Sequence, residues 1–160
     1  MDPSEKNDQP DRPDLTAIPA AIARLLRKEI LAVLGTMGAN APHVCLIQFA
    51  TDDDLGELYF ATNRNTLKFN NLSAEPRVSV LLDNRLSRAL DGKGFSLTLN
   101  GTASVLEGKY AECASSKLLA KNSNHGATVG ARDFAIIRVE LENGHLVSSD
   151  GDHTFHKFTK

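Results

Sequence analysis

No sign of charge dominates this chain. Its 160 residues carry 18 Lys and Arg against 20 Asp and Glu, a net of −2, so it projects no large positive field and general nucleic-acid binding has no electrostatic basis. No apolar run approaches the length of a membrane span, and the first residues lack the basic-then-apolar layout of a secretory signal. Both absences lead us to expect a cytoplasmic protein. Cysteine is scarce: Cys45 and Cys113 lie far apart and match no metal-ligand spacing, which reads as two buried or idle thiols in a reducing compartment. Without a secretion signal, the glycosylation-type triplets at Asn71 and Asn100 are chance matches. Aromatic residues make up only 6%, and tryptophan is absent altogether. What remains is 41% apolar and 24% charged, the composition of one globular domain with a single core.

Residues 1–14, MDPSEKNDQPDRPD, hold three prolines and five acidic residues with almost nothing to bury. Such a segment cannot offset its ordering entropy and is expected to be a disordered tail ahead of a domain over residues 15–160. From there, Ile18, Ile22, Leu25, Leu26 and Ile30 recur with the spacing of one helix face, opposite Arg24, Arg27 and Lys28. Asp14 or Thr16 is placed to cap this helix, with Pro19 in its first turn.

ILAVLGT, HVCLIQFAT and LYFAT then read as strands, separated by MGANAP and the acidic DDDLGE. A short helix over TLKFNNLSA is stopped ahead of Pro76, and RVSVLLD returns to strand alternation. In FSLTLNGTASV, Phe95, Leu97, Leu99, Ala103 and Val105 alternate with Ser96, Thr98, Asn100, Thr102 and Ser104, the mark of a half-buried antiparallel strand. KYAECASSKLLAKN follows as a helix and FAIIRVEL as a strand. ENGHL puts Asn-Gly where a tight hairpin would want it, and HTFHKF is a last short strand. The expected fold is mainly β with flanking helices: six or seven antiparallel strands in hairpin order, closed into a barrel because closure removes exposed edges.

The stretch ATNRNTLKFNNL, residues 61–72, admits two readings. One is a capped strand-to-helix corner, with Asn65 as N-cap and Arg64 and Lys68 in solvent. The other is a phosphate cradle, which needs N–H groups at a helix start, a hydroxyl donor and nearby cations. Thr62 at the strand end, Thr66 in the first turn, and Arg64 with Lys68 supply these. His153 and His156 lie three apart in a segment that reads as extended, which turns their rings to opposite faces. His43 opens the second strand, either bonding across the turn or standing near a ligand as a proton donor. The loop DNRLSRALDGKG, residues 83–94, with Arg85, Arg88 and Lys93, is longer than a hairpin needs. It reads as a solvated connection or as cover over a ligand. Cys45 has no base close by in sequence, so a nucleophilic role lacks support.

In order and spacing, LAVLGTMGANAPHVCLIQFA, LYFATNRNTLKFNNL, PRVSVLLD and LTLNGTASVLEG, preceded by a helix, resemble the split-barrel flavin-binding family, the pyridoxamine 5′-phosphate oxidase-like proteins, over roughly residues 20–108. The resemblance implies a six-stranded antiparallel split β-barrel, homodimeric, with flavin mononucleotide (FMN) in clefts between the subunits. In that family a strand-end Thr, the Ser or Thr of the next turn and a Lys two residues on hold the flavin phosphate. These fall on Thr62, Thr66 and Lys68, with Asn63 and Arg64 between them. Where relatives often have Arg, this chain has Leu67, and Arg64 is the candidate for the missing cation. The ring is expected along the second strand near Val44, Leu46, Ile47 and Gln48, with Ser96 or Thr98 reaching it from the long strand.

The implied activity is an FMN-dependent oxidoreductase acting on a small substrate, with no catalytic residue assigned and no metal. The alternative is a flavin- or haem-binding protein for storage or sensing on the same fold, since some haem-binding relatives use a C-terminal histidine as ligand. A deazaflavin, which related proteins bind, shares the phosphate-bearing chain. The true oxidases end in a motif with Arg and Trp that serves the pyridoxal substrate. This chain has no Trp and ends in HTFHKFTK, so that vitamin chemistry is not expected.

Overall fold

In the computed structural model the described residues are 17–86, 92–123 and 131–159. The expected tail, with Asp14 and Thr16, lies outside them. Helix α1 (Ala20–Lys28) follows Pro19, whose fixed φ suits a helix start although it offers no side-chain cap. Ile22, Leu25 and Leu26 are buried, and Arg27 and Lys28 in the last turn complement the helix dipole. The helix stops one turn short of the expected face: Glu29 is extended, and Ile30 beyond it is exposed.

The strands β1 (Leu31–Met37), β2 (Pro42–Gln48), β3 (Ala50–Thr51) and β4 (Glu57–Asn63) lead to α2 (Leu67–Ala74). After it come β5 (Arg77–Asp83), β6 (Phe95–Leu106), α3 (Gly108–Lys121), β7 (Phe134–Ser148) and β8 (His153–Lys157). All pairings are antiparallel, in the order β2-β1-β5-β6-β7-β4-β3, with β8 on β7. The path begins on β2 and ends on β3, which are two halves of one bent strand interrupted at Phe49. The sheet therefore curls until its ends are the same piece of chain: six strands form the barrel, and β8 extends the edge of β7 beyond β4. The expected single strand over HVCLIQFAT breaks because Phe49 turns its N–H to Ile30 and buries its ring. This lets the chain leave β1 and join β4.

Inside the barrel, Leu34, Ile47, Leu58, Phe60, Val80, Leu82, Leu97, Leu99, Ile137 and Val139 form one core under α1. A second, smaller cluster joins Tyr59 and Ile136 on the outer face of β4 and β7 to Ala114 and Leu118 of α3. Alternation places these residues, and it fails at one place. ENGHL is not a hairpin but the middle of β7, which runs unbroken for 15 residues. Asn100 pairs with Asn143 and Gly101 with Leu141, so Glu142 is an extra residue, a β-bulge. The twelve-residue β6 offers continuous pairing across this stretch, and that pairing outcompetes a local turn. The bulge also reverses which residues point inward: Val139 and Leu141 before it, Leu146 and Ser148 after it. Gly101 is needed here, since a Cβ would lie 2.2 Å from the Glu140 carbonyl oxygen. Val105, expected to be inward, is exposed because β6 outruns the core at that end.

Candidate functional site

Strand β4 delivers Thr62, the last of its inward residues after Leu58 and Phe60, to the barrel mouth, where it is 3% exposed. The chain then turns tightly: Asn63 Oδ1 accepts from the Asn65 N–H at 2.8 Å, and the Asn63 carbonyl accepts from the Thr66 N–H at 3.2 Å. This places the Thr66 hydroxyl 3.1 Å from that of Thr62. Thr66, not Asn65, is the N-cap of α2: its Oγ1 accepts from the Phe69 N–H, while its own proton goes to the Asn63 carbonyl at 2.8 Å. Asn65 is used up in the turn. The N–H groups of Leu67 and Lys68, in the first turn of α2, have no acceptor among the described residues.

Lys68 leans toward β2. Burial pushes the Cys45 thiol up from its usual range, and the Lys68 ammonium acts in the opposite direction. Arg64 leans the other way: its N–H bonds the Asp133 carbonyl at 2.7 Å, its guanidinium stands 5.5 Å from the Phe69 ring centre, and it lines a cavity beside α3. The corner thus brings Thr62 and Thr66 together, with Lys68 in the first turn of the helix that follows, and holds Arg64 toward Phe69 and α3. Leu67 is exposed. Asn71 had no sequence signal, yet it fixes the corner. It is buried and donates from Nδ2 to Thr36 Oγ1 of β1 at 3.0 Å, pinning α2 to the barrel.

The residues expected along the second strand divide by face. Ile47 points into the core, while Val44, Leu46 and Gln48 alternate onto the outer face, where Val44 and Leu46 are exposed. A groove of about 450 Å³ runs over Gly35, bounded by Met37, His43, Val44, Ser79 and Asn100. His43 does not bond across the turn through its ring. Its backbone carbonyl accepts from Thr36 Oγ1, and its Nδ1 is buried without a partner.

On the same outer face, Leu46 pairs with Val33, Val33 with Leu81, Leu81 with Thr98, and Thr98 with His145. Ser96 and Thr98 are therefore three strands from Leu46, roughly 14 Å along the sheet. The pairing also reveals a neighbour that sequence alone did not: His145 stacks on Phe155 and shares a hydrogen bond with His153, Nε2 to Nδ1, 2.9 Å. His153 and His156 face opposite ways, His153 exposed and His156 buried against Phe158, where burial lowers its pKa. In the 83–94 loop, Arg85 is paired with Asp83 and Lys93 with Asp150, while Arg88 lies outside the described residues.

A barrel closed through one bent strand, with a polar corner at its mouth, defines the split-barrel class. Residues 18–148 match the family model described as Pyridoxamine 5'-phosphate oxidase, and the chain belongs to that family. No curated protein matches it. Among solved structures, it resembles a putative pyridoxamine 5'-phosphate oxidase from Listeria innocua, with 20% identity, 79% of this chain and 94% of that one covered, and a TM-score of 0.62. It also resembles a heme binding protein from Mycobacterium smegmatis, with 16% identity, 88% and 59% covered, and a TM-score of 0.75. A third is HutZ, the heme storage protein from Vibrio cholerae, with 17% identity, 76% and 88% covered, and a TM-score of 0.65. At these identities the likenesses speak for the fold. The described residues contain no helix long and apolar enough to cross a membrane.

Proposed function

We propose that the protein is an FMN-binding oxidoreductase that works as a homodimer on a small substrate. The observation that carries this reading is the corner itself. Two hydroxyls 3.1 Å apart, two N–H groups without acceptors at a helix start, and Lys68 beside them make an anion site of the size of a phosphate. Bound there, the cofactor supplies the electron or hydride transfer. The chain's own residues bind and orient. Thr62, Thr66 and Lys68 hold the phosphate, Asn63 shapes the turn, and Val44, Leu46 and Gln48 give the ring a partly apolar bed beside the groove. His43 alternates onto the inner face of β2 with Ile47, so its side chain takes no part in that bed. Arg64 acts on the corner only through its long-range charge. Ser96 and Thr98 stand too far along the sheet to join one chain's site, and in the proposed dimer the second copy supplies them. The support for a dimer is the exposed apolar face of Leu31, Met37, Val44, Leu46 and Leu81. Free Cys45 and Cys113 suit a cytoplasmic setting.

Titration with FMN and with riboflavin, which lacks the phosphate, tests the corner. Thr66→Ala and Lys68→Ala should each weaken FMN binding by about ten- to a hundredfold, the value of one charge-assisted hydrogen bond, and leave riboflavin almost unchanged. Equal losses for both ligands would refute the phosphate site. A second reading, haem binding without turnover, is favoured by the heme binding protein and HutZ among the structural neighbours. The absorption spectrum separates them: twin flavin bands support the first reading, and a single intense Soret band on adding haem supports the second.

A further inference from the structure

The last turn of α3 carries a lysine turned away from solvent. Lys121 Nζ donates to the Leu26 carbonyl at 2.7 Å and stands 3.9 Å from the centre of the Phe49 ring. The Leu26 carbonyl belongs to the last turn of α1 and has no intrahelical donor, so the bond is a helix cap made from another helix. Capping does not exhaust the site. Lys121 also lines a cavity of about 490 Å³ between the end of α1, the β3–β4 turn and α3, together with Arg27, Thr51, Asp52, Leu55 and Lys117. Burial pushes its ammonium down to about 8, with Glu29 acting the other way. A lysine in such a setting spends an appreciable fraction of its time as the neutral, nucleophilic amine near neutral pH.

The other charges at the cavity narrow the ligand. Lys117 is held by Asp53 at 2.7 Å, which leaves Arg27 as the cation at the rim. Asp52 is half-buried, accepts from the Glu57 N–H at 2.7 Å, and is made more basic than usual, chiefly by burial. The cavity therefore combines an amine, the Asp52 carboxylate and, in Arg27, a guanidinium with no ion pair among the described residues.

We infer that Lys121 is a covalent carbonyl-binding site, whose amine forms a reversible imine with a small aldehyde that bears a carboxylate directed at Arg27. The nitrogen lone pair adds to the carbonyl carbon. Both amine protons pass, by way of solvent water in the cavity, to the carbonyl oxygen, which departs as water as the C=N bond forms. Nothing is oxidised or reduced, and hydrolysis reverses the step. The inference is independent of the flavin reading, since the cavity and the groove over Gly35 share no lining residue.

The test is to expose the full-length protein to glyoxylate with cyanoborohydride at neutral pH, which traps an imine as a carboxymethyl group, and to map the label by peptide mass. Lys121 should be labelled roughly tenfold faster than the exposed Lys109 and Lys157, reflecting its larger share of free amine. Lys121→Arg keeps a cation for the cap and should lose that label alone. Arg27→Gln should slow labelling by glyoxylate and leave labelling by propionaldehyde unchanged. Labelling of Lys121 no faster than Lys109 would overturn the site, and this comparison within the unaltered protein needs no variant. Equal effects of Arg27→Gln on both aldehydes would overturn the assignment of a carboxylate.

Discussion

At the scale of residues, the corner depends on a partner that never touches the ligand. Asn71 reaches Thr36 through a buried hydrogen bond, and a buried amide left without its acceptor costs about 1–3 kcal/mol. Thr36→Val should therefore lower the stability measured by urea unfolding by about that much. Adding Asn71→Leu should recover part of the loss, because no polar group is then stranded. The same pair should show weakened FMN binding if α2 loosens. Lys121 gives a pH signature whose sign is fixed by its shift. Folding lowers its pKa to about 8 from an ordinary value of 10.5. Between these values the unfolded chain holds a proton that the folded chain has released, so stability rises with pH in that window. Below about pH 8 both states are protonated and the contribution is constant. Urea midpoints followed from pH 8 to 10.5 should rise for the unaltered protein relative to Lys121→Met, and parallel curves would remove the linkage.

At the scale of elements, the β6–β7 ribbon turns on one inserted residue. Deleting Glu142 would restore strict pairing and leave every residue after it on its present face, because Asn143, His145 and Leu146 keep Asn100, Thr98 and Leu97 as partners. The deletion should leave unfolding cooperative by circular dichroism and cost only the bonds that Glu142 accepts from Phe158 and Thr102. Gly101→Ala is the harsher change, since it forces a methyl onto the Glu140 carbonyl, and should cost about 1–3 kcal/mol. This ribbon also shows what can be read in a sequence and what cannot. The alternation of FSLTLNGTASV announces β6 because one face is buried throughout. The bulge is hidden because ENGHL is a good hairpin on its own, and only the length of β6 decides against it. Phe49 is likewise a strand residue by pattern, and its break exists because the barrel must close. Thr62 and Thr66 were legible as neighbours because one short corner supplies both. Asn71, His145 and Lys121 were not, since their partners Thr36, Thr98 and Leu26 are brought to them by pairing and packing across the fold.

At the scale of the molecule, the outer face of β2, β1 and β5 is the part least at ease alone. Val44 is 67% exposed, Leu46 63% and Met37 51%, with Leu31 and Leu81 beside them. A contiguous apolar surface of this kind on a sheet is more than scattered exposure, and in the proposed dimer it would be the interface. Ser96 and Thr98 continue the same face toward His145, so a second copy laid against it can bring polar side chains to a ring lying on β2. In the proposed dimer, association and cofactor binding would then be one event. Leu46→Asp and Leu81→Asp should each give a monomer in sedimentation velocity, because an unpaired carboxylate placed in the contact is costly to desolvate. Both should also weaken FMN binding, although Leu81 lies away from the corner and Thr62, Thr66 and Lys68 are untouched. Phe155→Ser, at the far end of the face on β8, should leave the association intact if the contact is centred on β1 and β2. A Leu81→Asp monomer that still binds FMN at full strength would mean that one chain completes the site, and Ser96 and Thr98 would then have no part in it.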